Sequence, residues 1–105
     1  MEQPNFSYID QLSRGDDVFK QKLLDIIKIE FPEEKAIYLK NIESRKFKEA
    51  AENVHKLKHK ISILGLEKSF VVATNFENNL IESSDLGREE FEDVLEVMTN
   101  FLSKL

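Results

Sequence analysis

The sequence predicts an all-α fold: an antiparallel up-down-up-down four-helix bundle preceded by a short extra N-terminal helix. Three observations predict it. Apolar residues recur at spacings of three and four along most of the chain, the period of a helix with one buried face. Only 3 Gly and 2 Pro are present among 105 residues, too few for the turns of an all-β fold. The one run with strand propensity, Phe70-Val71-Val72-Ala73-Thr74, has no second run to pair with. Short loops between helices then force antiparallel neighbours.

Each element has its own punctuation. Phe6-Ser-Tyr8-Ile9-Asp-Gln-Leu12 forms a short helical stretch closed by Ser13-Arg14-Gly15, with Gly15 suited to the left-handed C′ position. Asp16 fits an N-cap, and Asp17 opposes the positive end of the helix dipole. From there Phe19, Leu23, Ile26, Ile27 and Phe31 recur at helical spacing, and the pattern resumes with Ala36, Leu39 and Ile42. Pro32 removes one backbone donor between the two stretches. One long kinked helix to about Glu43 is the expectation, with two shorter helices as the alternative. Ser44-Arg45-Lys46 is the turn. The next helix runs from Phe47 to Leu64 with Phe47, Ala50, Val54, Leu57, Ile61 and Leu64 as its apolar set, and Gly65 ends it. A further helix carries Leu66, Phe70, Ala73, Leu80 and Ile81. Glu82 to Gly87 reads as a loop, and the last helix places Phe91, Leu95, Met98, Leu102 and Leu105 on one stripe.

Composition excludes several classes of function. Hydrophobic residues make up 41% and charged residues 33%, the balance of a globular chain, and the length fits a single domain over 1–105. The absence of Cys removes disulfides, zinc ribbons, iron–sulfur clusters and thiol nucleophiles. A net charge of −5 argues against a general nucleic-acid binder. No apolar run approaches the roughly 20 residues of a membrane span. The polar start Met1-Glu2-Gln3-Pro4-Asn5 lacks the features of a signal peptide, so a cytoplasmic location is expected. The initiating Met1 and the lack of a linker favour a free-standing protein over a domain cut from a larger kinase.

The only two histidines, His55 and His59, share one segment. On a helical wheel, with Val54, Leu57 and Ile61 facing the core, His55 points about 130° from the centre of that stripe, toward solvent. Lys58 and Ser62 flank it and His59 lies one turn above, so an ammonium and a second imidazole are within reach. Exposed His and Lys on a helix are most often plain solvated surface. Here the local charge is inverted as well. Arg45 to Lys60 holds six basic and two acidic residues, Lys48, Lys56 and Lys60 among them, for a balance of +4 against −9 elsewhere. A basic ridge on an acidic protein suits an anionic ligand or an acidic partner.

The segment Val54-His55-Lys56-Leu57-Lys58-His59-Lys60-Ile61-Ser62-Ile63-Leu64-Gly65 resembles the signature of histidine-containing phosphotransfer domains. In that family a His is followed by a variable residue, Leu, Lys and Gly, and further on by Leu-Gly. Here His55, Leu57, Lys58, Leu64 and Gly65 fall on the pattern. Leu12-Ser-Arg-Gly15-Asp16 looks like the family's approach to its second helix. Phe76-Glu77 sits where a Leu-Glu pair is common. The resemblance implies a phosphorelay intermediate rather than an enzyme. His55 accepts a phosphoryl group from a receiver-domain aspartate and passes it to another, and Lys58 stabilises the charge of that group. The partners implied are receiver domains of response regulators and hybrid histidine kinases. Magnesium is expected on the receiver, and no cofactor, nucleic acid or membrane on this chain; a monomer is expected. The departure is His59, where the family has Gly, with Lys60 and Ile61 replacing small residues. His59, Ser62, Lys56 and Lys48 are the expected docking residues, and His59 is expected to restrict which receivers fit.

Two other readings remain at this stage. His55 and His59 at i, i+4 make half a zinc site, with Glu52 as a third ligand, although zinc wants three or four and lysines oppose a dication. The chain also reads as a helical interaction module in which His55 is incidental. No carboxylate cluster is expected beside His55.

Overall fold

The computed structural model describes residues 1–105 as five helices and no strand. They are α1 (Ser7–Ser13), α2 (Asp17–Glu43), α3 (Phe47–Ile63), α4 (Glu67–Ile81) and α5 (Arg88–Ser103). Their starts and stops follow from local chemistry. Asn5 Oδ1 accepts from the Ser7 amide at 3.0 Å, and Asp16 Oδ1 from the Phe19 amide at 3.0 Å, which satisfies orphan donors at the heads of α1 and α2. Gly15 takes a φ of +84° directly after α1. α2 runs unbroken through Pro32, so the single-helix reading holds.

α3 packs on α2 and α4, and α5 packs on α4 and α2, so the four long helices close a ring around one core. That core has 21 apolar residues drawn from every helix. Leu57, Ile61 and Leu64 of the α3 stripe are fully buried, as the wheel requires for His55 to face out. The longest molecular dimension, 43 Å, matches the roughly 40 Å length of α2. No helix is long and apolar enough to cross a membrane.

The α2 stripe differs from expectation. Phe19, Ile26 and Ala36 are exposed; Leu24, Ile27, Phe31, Tyr38 and Ile42 are buried. Counting from Phe19 phases the stripe toward the wrong side, and the polar hydroxyl hides Tyr38 from an apolar count. Tyr38 instead forms the centre of an aromatic cluster, edge-on to Phe76 and Phe91 at 6.2 and 5.2 Å between ring centres. Its hydroxyl donates to Glu92 Oε2 at 2.9 Å. Burial, then the Glu92 carboxylate, pushes the phenol far above its usual range. Ile81 and Leu105, also expected in the core, are exposed.

The polar N-terminus straps the bundle. The Asn5 amide donates to the Leu64 carbonyl at 2.9 Å. The Glu2 carboxylate accepts from the amides of Lys68 and Ser69 and from the Ser69 hydroxyl, at 2.9 to 3.1 Å. It thus caps α4, whose own preceding residue, Leu66, supplies no capping side chain. Gly65 lies beneath this strap with φ +76°, and a Cβ there would come within 2.6 Å of Asn5 Oδ1.

Candidate functional site

His55 lies mid-α3 with 59% of its side chain exposed. Across the α3–α4 turn Glu77 reaches it. Glu77 Oε2 stands 3.0 Å from His55 Nδ1, and Oε1 accepts from Lys58 Nζ at 3.0 Å. One carboxylate thus bridges the imidazole and the ammonium. A carboxylate only accepts, so the hydrogen of the ring belongs on Nδ1, and in the neutral ring Nε2 carries the free lone pair.

Lys58 is placed differently from the expected free cation. Its side chain is only 14% exposed, its ammonium is bound to Glu77, and it lies 4.9 Å from the centre of the Phe70 ring. It positions the carboxylate that positions His55. One carboxylate does stand against His55, that of Glu77, held to 15% exposure. Glu52, weighed from spacing as a partner of His55, only shares a depression with it. That depression, of about 440 Å³, also includes Lys48, Lys56 and Glu77. No group of three or more His, Cys, Asp or Glu side chains converges as metal ligands would.

His59 is exposed, its ring edge-on to that of His55 with centres 5.4 Å apart. Ser62 is exposed one turn further on and borders a separate hollow with Tyr8, Gln11, Gly65 and Phe70. The structure therefore gathers His55, Lys58, Glu77, Lys48 and Lys56 in one place, with His59 as its shoulder, and leaves Ser62 at a neighbouring hollow. Lys60 leaves the basic ridge altogether. It is buried against α2, its ammonium 2.7 Å from Glu30 and 2.8 Å from Glu34. Burial alone pushes Lys60 down, but the two carboxylates outweigh it and raise it above its ordinary value.

Glu77 was visible in the sequence only through the resemblance. A signal existed: His55 and Glu77 lie at nearly equal chain distance on either side of Gly65, where two helices folded back at that glycine bring residues level. No protein-family model, no curated protein and no solved structure matches the chain.

Proposed function

We propose that this chain is a phosphorelay intermediate that carries a phosphoryl group on His55 between receiver-domain aspartates. The observation that carries the reading is the exposed imidazole whose Nδ1 is held by Glu77, which leaves the lone pair of Nε2 free to act as the nucleophile. In this reading the four long helices run up-down-up-down, antiparallel throughout. The sequence signature around His55, with its resemblance to histidine-containing phosphotransfer domains, supports the same function.

The chemistry needs little from this chain. The Nε2 lone pair attacks the phosphorus of an aspartyl phosphate, the N–P bond forms, and the P–O bond to the aspartate breaks with the electron pair leaving on the carboxylate. No proton moves, because Nδ1–H stays on the ring. The positive charge that the phosphorylated imidazole gains is offset by Glu77, as a buried carboxylate stabilises an imidazolium in hydrolytic triads. Lys58 holds the second oxygen of Glu77 and balances its charge, so the carboxylate does not repel the incoming phosphoryl oxygens. Lys48 and Lys56, on the rim of the His55 depression, suit the acidic pocket of a receiver. The magnesium and the remaining groups come from that receiver. Phosphoryl transfer is mainly positioning and electrostatics, and this division of labour leaves positioning to the present chain.

The test is acceptance of label from a phosphorylated receiver domain by the wild type and by His55→Gln. The variant loses all acid-labile phosphate while its helicity and melting temperature stay close to wild type, since exposed substitutions usually change stability by about 0.5 kcal/mol or less. Retained labelling in His55→Gln overturns the assignment.

A further inference from the structure

α2 carries a second apolar stripe that the fold does not use. Val18, Phe19, Ile26, Ile29 and Ile37 are 67%, 45%, 49%, 67% and 52% exposed. On a wheel of 100° per residue their centre lies about 155° from the buried set Leu24, Ile27, Phe31, Tyr38 and Ile42, so the stripe points away from the bundle. Single exposed apolar residues are ordinary, but five large ones on one side of a helix mark an interaction surface. Lys22 and Glu33 lie on the same face, both exposed, and neither forms an ion pair within the chain.

We infer that this face pairs with the same face of a second copy, the two α2 helices crossing antiparallel about a two-fold axis midway between Ile27 and Lys28. The pattern is self-complementary about that one point. Residues equidistant from it come level across the axis: Lys22 with Glu33 of the second copy near the centre of the face, Ile26 with Ile29 beside them, and Val18 with Ile37 and Phe19 with Ala36 along the two flanks. Each pair occurs twice, which is the requirement of a two-fold interface. The lysine and glutamate left without partners in one copy therefore find each other, in the register that also stacks the apolar residues. Asp25 and Glu30 come level too, but at about 70° from the centre of the face they lie at its outer edges, beyond the flanks that Val18 and Ile37 occupy. Glu30 is also already paired with Lys60. The contact runs about 28 Å along the helix, from Val18 to Ile37. An unrelated partner would not require the sequence to mirror itself about one point. The inference replaces the expected monomer with a dimer. It does not depend on phosphotransfer, and since His55 faces α4 it leaves both imidazoles open.

The experiment is sedimentation equilibrium of the full chain over a wide concentration range, for the wild type and four variants. The wild type self-associates to a dimer and no further. Ile29→Glu, an exposed change that leaves helicity and melting intact, is monomeric throughout. Lys22→Glu and Glu33→Lys each weaken the dimer about tenfold or more, because each sets like charges level twice. The double reversal Lys22→Glu with Glu33→Lys restores it. A wild type that stays monomeric at every concentration overturns the inference, as does a dimer indifferent to Ile29→Glu. Single reversals that weaken the dimer without rescue by the double reversal overturn the register.

Discussion

At His55 the arrangement turns on which ring nitrogen carries the hydrogen. Glu77 fixes that choice, and Lys58 fixes Glu77. Removing the carboxylate frees the ring to rotate and to place its hydrogen on either nitrogen. Glu77→Ala is accordingly expected to slow phosphate acceptance by about tenfold, the usual scale for a lost orienting partner. It should also spread the phosphate between Nδ1 and Nε2, where the wild type is expected to carry it on Nε2 alone; phosphorus NMR of the labelled protein distinguishes the two. An unchanged rate with unchanged regiochemistry would show that Glu77 is only a surface ion-pair partner. His59 poses a separate question, one of access. Its ring stands edge-on beside that of His55 and adds bulk there. His59→Gly is expected to keep His55 phosphorylatable and to widen the set of receivers that exchange phosphate with it. A narrowed set in a transfer panel would place His59 in the chemistry instead. At this scale the sequence was legible for whatever shares a helix. His55, Lys58 and His59 follow from spacing along one turn, whereas the Glu77 contact spans 22 residues and local periodicity cannot report it.

At the scale of elements, the boundaries were the legible part, because caps and glycines write them locally. Gly15, Asp16 and Gly65 sit at the ends they announced. The phase of α2 was not legible. Its outer face is nearly as apolar as its inner one, so periodicity alone points two ways, and a tyrosine occupies a central core position. The cap of α4 was also hidden, because Glu2 supplies it from the far end of the chain. The strap over Gly65 gives this region a specific vulnerability. Gly65→Ala combines a left-handed backbone, which costs a non-glycine residue about 1–2 kcal/mol, with a Cβ pressed on Asn5. Chemical denaturation should report a loss of at least that size. In an Asn5→Ala background the loss should shrink toward the backbone contribution alone. Equal losses in both backgrounds would mean that Asn5 moves aside freely.

Across the whole molecule, the basic run around His55 is weaker in the fold than along the chain: Lys60 is turned inward, Lys58 is held by Glu77, and Lys48 and Lys56 share the His55 depression with Glu52 and Glu77. The count of charges along the chain was legible; the direction in which Lys60 points was not, since it depends on Glu30 and Glu34 of another helix. Acid should loosen the fold at the strap first. Burial pushes the Glu2 carboxyl up, but the hydrogen bonds from Lys68 and Ser69 and the charge of Lys68 outweigh it, so its folded value lies below the ordinary 4.5. A group depressed on folding contributes stability above its unfolded value and loses it as the pH falls through the folded one. Wild type should therefore melt above Glu2→Gln at neutral pH, and the two should converge as the pH drops below about 4.5. A gap that persists in strong acid would assign the effect of Glu2 to packing.

The central claim is that Nε2 of His55 is the phosphoacceptor. Incubating the chain with a receiver domain charged at its aspartate, then mapping the phosphate by peptide mass spectrometry and phosphorus NMR, tests it directly. The account predicts one acid-labile phosphate on His55, bound through Nε2, that returns to a second receiver. Phosphate on His59, phosphate on Nδ1 of His55, or no transfer from any receiver of the source organism would contradict it.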